Sequence, residues 1–128
     1  MPANVPVNLY WSATIYDRET HTLIRDLPWS SRSSHSPGLQ ENADGSVEIA
    51  FGPQPPPDRP QNWIPTDPGG AFEVIFRFYG PEKALFDKSW QLPDIQSAAC
   101  TNATKRLQVM RVRSAPLVIR QRMDYLTR

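Results

Sequence analysis

Apolar and polar positions alternate with a period of two in two stretches of this chain, and the rest of the reading hangs on them. Between Phe72 and Tyr79, the side chains of Phe72, Val74, Phe76 and Phe78 belong to one face of an extended segment and those of Glu73, Ile75, Arg77 and Tyr79 to the other, because successive strand residues point to opposite sides. A helix would scatter the four apolar side chains around its axis, whereas aromatic and β-branched residues fit a pleated surface, so the pattern predicts a central strand. Gly69-Gly70 and Gly80-Pro81 punctuate its ends. From Leu9 to Tyr16 the alternation recurs, with Leu9, Trp11, Ala13 and Ile15 on one face and Tyr10, Ser12, Thr14 and Tyr16 on the other.

Shorter signals fill the intervals. Asp17 to Thr22 reads as a polar turn, and Leu23-Ile24 as the start of a short strand that Pro28 stops. The serine-rich run Trp29 to Gly38 reads as a loop. Asp44-Gly45 is a hairpin turn signal, because a tight hairpin needs positive φ; Val47, Ile49 and Phe51 then form a third strand, with Leu39 on its partner across the turn. Gly52 to Pro60 cannot supply a sheet ladder and reads as a stiff polyproline connection. Trp63 is expected as a core plug ahead of the central strand. Pro81 suits the start of a helical turn over 82–86, with Phe86 and Trp90 folding back as apolar lids. After Ile95 the alternation stops, and Ile119, Met123 and Leu126 have the spacing of a short amphipathic helix.

The pattern therefore predicts an all-β domain over residues 1–96, an antiparallel β-sandwich, followed by a weakly structured or helical tail over 97–128. The predicted core comprises Trp11, Ile15, Val47, Ile49, Phe72, Val74, Phe76, Phe78 and Trp90.

Length and composition fit that picture. A chain of 128 residues has room for one domain that buries roughly two-thirds of its unfolded surface. Its 14 prolines crowd between the apolar runs, as short strands joined by turns require. The net charge of +1 argues against nucleic acid or an acidic membrane surface as partner. Its distribution is uneven: residues 1–96 hold seven Lys/Arg and twelve Asp/Glu, whereas 97–128 hold seven Lys/Arg and only Asp124. One cysteine, Cys100, forms no internal disulfide. With no secretory leader and no apolar run of about 20 residues, the chain is expected to stay in the cytoplasm.

Catalytic signals are sparse. The serines around His35 lack a nucleophile elbow, and His21, His35 and Cys100 lack metal-ligand spacing, so neither a metal nor another cofactor is expected. Asp87 and Asp94 flank Trp90 and suggest either an acid–base pair or two turn caps. Pro57 and Pro60 have the spacing of a groove-docking motif, and Asn102-Ala103-Thr104 that of a glycosylation acceptor. Arg77, in mid-strand, needs a carboxylate, an aromatic partner or a ligand anion.

Four segments carry a resemblance: NVPVNLYWSATIYD (Asn4 to Asp17), NADGSVEIAFGP (Asn42 to Pro53), NWIPTDPGGAFEVIFRFYGP (Asn62 to Pro81) and FDKSW (Phe86 to Trp90). In order and spacing they resemble the bacterial domain-of-unknown-function family twelve-fourteen. The resemblance implies a jelly-roll-like β-sandwich, usually the carboxy-terminal domain of a larger and often exported protein with a companion domain upstream. It supplies no catalytic residues, and the basic tail lies outside it.

These readings converge on a non-catalytic binding or assembly module, for which a companion domain, self-association, a carbohydrate or a small anionic ligand is the expected partner. The alternative is part of a hydrolase acting with an upstream domain. If the two long strands are neighbours with their apolar faces on one core, then Tyr10, Ser12, Thr14, Arg77 and Tyr79 emerge together on the opposite side. That face is the candidate working surface.

Overall fold

A computed structural model describes residues 1–99 and 108–111, with side chains over 1–96. The longest elements are β1 (Val7–Asp17) and β5 (Phe72–Pro81), and they pair antiparallel as the alternation requires. β2 (Ser31–Ser33) pairs on the other side of β1, giving a three-stranded sheet in the order β2-β1-β5. β3 (Ala50–Gly52) and β4 (Trp63–Pro65) form a two-stranded parallel sheet, and β6 (Gln96–Ala99) and β7 (Gln108–Arg111) an antiparallel one. A single helical turn, α1 (Lys83–Phe86), follows Glu82 and buries Leu85. The described residues are thus mostly β, in three small sheets, and they do not display the two facing antiparallel sheets of a sandwich or jelly roll.

Burial follows the apolar faces of the two long strands. Ala13, Ile15 and Val74 cluster with Phe51 and Ile64, and Ile24, Leu27, Ile49, Phe72, Phe76 and Ile95 pack around them. Ile15 and Ile64 are fully enclosed, each stabilising the fold by about 1.5–3 kcal/mol. Trp11 and Val47 are buried as expected. Phe78 and Trp90 are half-buried and meet edge to face, ring centroids 5.8 Å apart.

Several expectations give way to tertiary structure. Leu9, expected on the core face, is exposed. Val7 pairs with Pro81 and Tyr10 with Tyr79, so Asn8 and Leu9 together oppose Gly80 alone and the alternation breaks at this bulge. Gly80 is at φ +64, and a Cβ there would lie 3.2 Å from that of Asn8. The third strand begins only at Ala50 and pairs parallel with β4, so that sheet is not antiparallel. The turn at Asp44-Gly45 forms, with the Gly45 amide donating to the Asn42 carbonyl and the Asn42 amide to that of Ser46, but no ladder extends from it to Leu39. β2 lies inside the segment expected to be a serine loop, Leu23 makes only an isolated bridge to Tyr16, and β6 and β7 pair where strand alternation is absent. Cys100, the Asn102 sequon and the helix expected at Ile119, Met123 and Leu126 lie outside the described residues.

Asn62 explains the parallel pairing. Its side chain is buried, accepting from the Gln40 amide (2.8 Å) while donating to the carbonyls of Gln40 (2.7 Å) and Glu48 (2.9 Å). Its own carbonyl accepts from the Ala50 amide at 2.8 Å. One amide side chain therefore takes the place of a missing strand, satisfying backbone groups that have no ladder. Trp63 next to it is the expected core plug, and its indole donates to the Gly52 carbonyl at 2.8 Å. Asn62→Ala removes three part-buried hydrogen bonds at once and should lower the stability by roughly 2–4 kcal/mol; a shift in the urea midpoint below that of a surface Asn→Ala control would count against this role.

Candidate functional site

The sheet register decides which polar side chains meet. Tyr10 lies opposite Tyr79, Ser12 opposite Arg77, Thr14 opposite Ile75 and Tyr16 opposite Glu73. All of these positions belong to the side of the sheet away from Trp11, Ala13, Ile15 and Val74, because opposed residues of an antiparallel pair share a face. Of the five candidate residues, the structure brings Tyr10, Tyr79, Ser12 and Arg77 together as two adjacent cross-strand pairs. Thr14 continues the row but is buried at 8% exposure, so it offers little to a ligand.

Tyr10 and Tyr79 stack, ring centroids 4.0 Å apart and planes 14° from parallel. Hydrogen bonding with Tyr79, then desolvation, holds the Tyr10 phenol above its ordinary pKa. Arg77 donates from Nη2 to the Tyr16 hydroxyl at 2.6 Å and sits 5.6 Å from the centre of that ring. Among the described residues no carboxylate lies within ion-pair distance of Arg77: Glu73 is taken by His21, 2.9 Å away, and Glu48 lies 4.0 Å from Arg59. Arg77 thus has its aromatic partner, while none of the described residues neutralises its charge.

Two contributors lie outside the candidate set. Tyr16 carries the same alternation signal as Tyr10, and only the structure shows it supporting Arg77. His35 lies 5.3 Å from Tyr10, ring to ring, because the pairing of Ser12 with Ser33 folds the serine segment back along β1. No local sequence signal announces that contact.

The acid–base alternative at Asp87 and Asp94 gains no geometric support. Both are exposed, and hydrogen bonds from the Ser89 side chain and amide hold the Asp87 carboxyl below its usual range, as a turn cap does. Asp17 and Asp44 are likewise shifted down, by bonds from Thr20 and Ser46 respectively. Among the described residues no group of three His, Cys, Asp or Glu side chains is placed to hold a metal ion, and no helix is long and apolar enough to cross a membrane.

The sequence model of a family described as "Protein of unknown function (DUF1214)" matches residues 1–83. That span contains three of the four resembling segments, and FDKSW begins just beyond it. No curated protein sequence matches the chain.

The Tyr10–Tyr79 pair makes a pH prediction. A phenol whose folded pKa is raised contributes stability that is complete below the ordinary value of about 10 and is lost as pH rises through the raised value. Tyrosinate absorbance should show one phenol titrating late in the parent, and Tyr79→Phe should bring it back toward the ordinary range. An unchanged titration curve would remove the hydroxyl contact from the site.

Proposed function

Because the chain belongs to the DUF1214 family, whose function is unknown, we propose from its own geometry that it is a non-catalytic binding and assembly module working through the face of Tyr10, Ser12, Arg77 and Tyr79. The observation that carries this reading is the environment of Arg77. A half-buried guanidinium beside a serine and a stacked tyrosine pair is oriented by a neutral phenol and, among the described residues, has no carboxylate partner. An always-charged, planar donor held this way suits a carboxylate from outside. The tyrosines add amphipathic ring surface and hydroxyls, a mixture that serves a sugar or a partner domain equally well.

The jelly-roll-like sandwich implied by the family resemblance belongs to the same proposal, supported by the amphipathic build of β1 and β5 over Phe51 and Ile64. A hydrolase would instead call for perturbed carboxylates or a metal in a cleft. The carboxyls of Asp17, Asp44 and Asp87 are held below their usual range by hydrogen bonds from Thr20, Ser46 and Ser89 within their own turns, as turn caps are, which favours the binding reading.

Amide chemical shifts followed during titration with galacturonate and with galactose test the face. Galacturonate should perturb the amides around Ser12 and Arg77, and Arg77→Ala should weaken that response by roughly tenfold or more, as loss of a charge-assisted contact does. Tyr10→Ala should weaken both sugars, with the circular dichroism of both variants unchanged. A face that ignores both sugars, and whose variants alter neither binding nor self-association, is plain solvated surface.

A further inference from the structure

The outer edge of β5 carries an inference about the partner. The Ile15 amide donates to the Ser30 carbonyl (2.9 Å), the Ser34 amide to that of Trp11 (3.1 Å) and the Asp17 amide to that of Thr22 (2.8 Å). The odd-numbered residues of β1 therefore turn their backbone groups toward β2 and the even-numbered ones toward β5. Given the pairing of Tyr10 with Tyr79 and Ser12 with Arg77, it is Glu73, Ile75, Arg77 and Tyr79 that bond back to β1. The amides and carbonyls of Phe72, Val74, Phe76 and Phe78 point away from the sheet. β5 is ten residues long, and among the described residues it borders β1 and no other strand. Such an edge is a template for another strand.

We propose that this edge pairs antiparallel with β5 of a second copy, about a two-fold axis at Ile75, so that Glu73 of each copy faces Arg77 of the other. This names the occupant of the Arg77 side of the face described above and rests on reading that face as an assembly surface. The register is selected by charge. With the axis at Ile75, Val74 meets the partner's Phe76, Phe72 meets the partner's Phe78, and Glu73 meets the partner's Arg77. The outward-pointing residues fall opposite one another, giving about eight backbone hydrogen bonds, since each hydrogen-bonded pair exchanges two. An axis at Glu73 or at Arg77 sets like charges face to face, and an axis at Val74 or Phe76 leaves a charge opposite Ile75. The pairing supplies the carboxylate that Arg77 lacks among its described neighbours. It competes only with the contact of Glu73 to His21, whose side chain is 67% exposed, and exposed ion pairs are weak. It also makes one continuous six-stranded sheet, a common size, carrying two copies of the tyrosine–arginine face side by side.

Sedimentation equilibrium on the full chain and on Glu73→Arg and Arg77→Glu variants tests this. The parent should self-associate as a dimer, and each variant alone should weaken the dimer by roughly tenfold or more, because either change sets like charges opposite one another. An equimolar mixture of the two variants should recover dimer, since an arginine of the first variant then faces a glutamate of the second at both ends of the pairing; recovery also shows that both variants are folded. A parent that stays monomeric, a dimer indifferent to both changes or a mixture that stays monomeric each overturns the pairing. So do amides of Phe72, Val74, Phe76 and Phe78 that resist exchange in a monomer, since another part of the chain then covers the edge. Tyr10→Ala lies off the edge and separates the two ideas: it should leave the dimer intact while weakening galactose, which carries no carboxylate and does not compete for Arg77, so a lost dimer with Tyr10-dependent galactose binding sinks the pairing alone.

Discussion

The antiparallel register of β1 against β5 is the constraint on which everything else depends. Side chains in a strand have a period of two, so sliding β1 by one residue would put Trp11, Ala13 and Ile15 in solvent and Tyr10 and Ser12 in the core, and sliding β5 would do the same to Val74 and Arg77. That penalty makes the register secure through the middle of the pair. At its end the bulge releases it, where Asn8 and Leu9 oppose Gly80. Leu9 turns outward there, and Tyr10 is left opposite Tyr79, where stacking replaces core packing as the local attraction.

A second support comes from side chains acting as backbone. Trp63 and Ile64 lie in a three-residue parallel strand, which has little ladder of its own. The side chain of Asn62 ties Gln40 and Glu48 to it, and the indoles of Trp29 and Trp63 donate to the carbonyls of Trp63 and Gly52 at 2.8 Å. Arg32 closes the outside of this corner, its guanidinium 4.0 Å over Trp29. Such contacts let segments rich in proline and poor in ladders remain ordered, because each buried polar group still finds a partner.

Core and candidate site are two consequences of one pattern. The alternation that buries phenyl and isoleucine side chains on one side of the sheet obliges tyrosine, serine and arginine to gather on the other. Within one copy the face carries Arg77, which none of the described carboxylates reaches, beside the stacked rings of Tyr10 and Tyr79.

The sequence by itself determined the two long strands, their two faces, the helical turn near Leu85 and the plug at Trp63, because each follows from periodicity or turn chemistry within a few residues. It also indicated the family, whose shared segments are contiguous. It did not reveal the parallel pairing of β3 with β4, the strand within the serine-rich segment or the approach of His35 to Tyr10. Those depend on partners well separated along the chain, Ala50 with Trp63 and Ser12 with Ser33, and no local propensity encodes such a choice. Thr14 shows the same limit on a smaller scale: its alternation matches that of Ser12, and only the packed neighbours decide that one is buried and the other half-open. Which face a side chain takes was written in the order of residues; what meets it there was decided by the fold, since burial and pairing energies belong to contacts and not to positions in a chain.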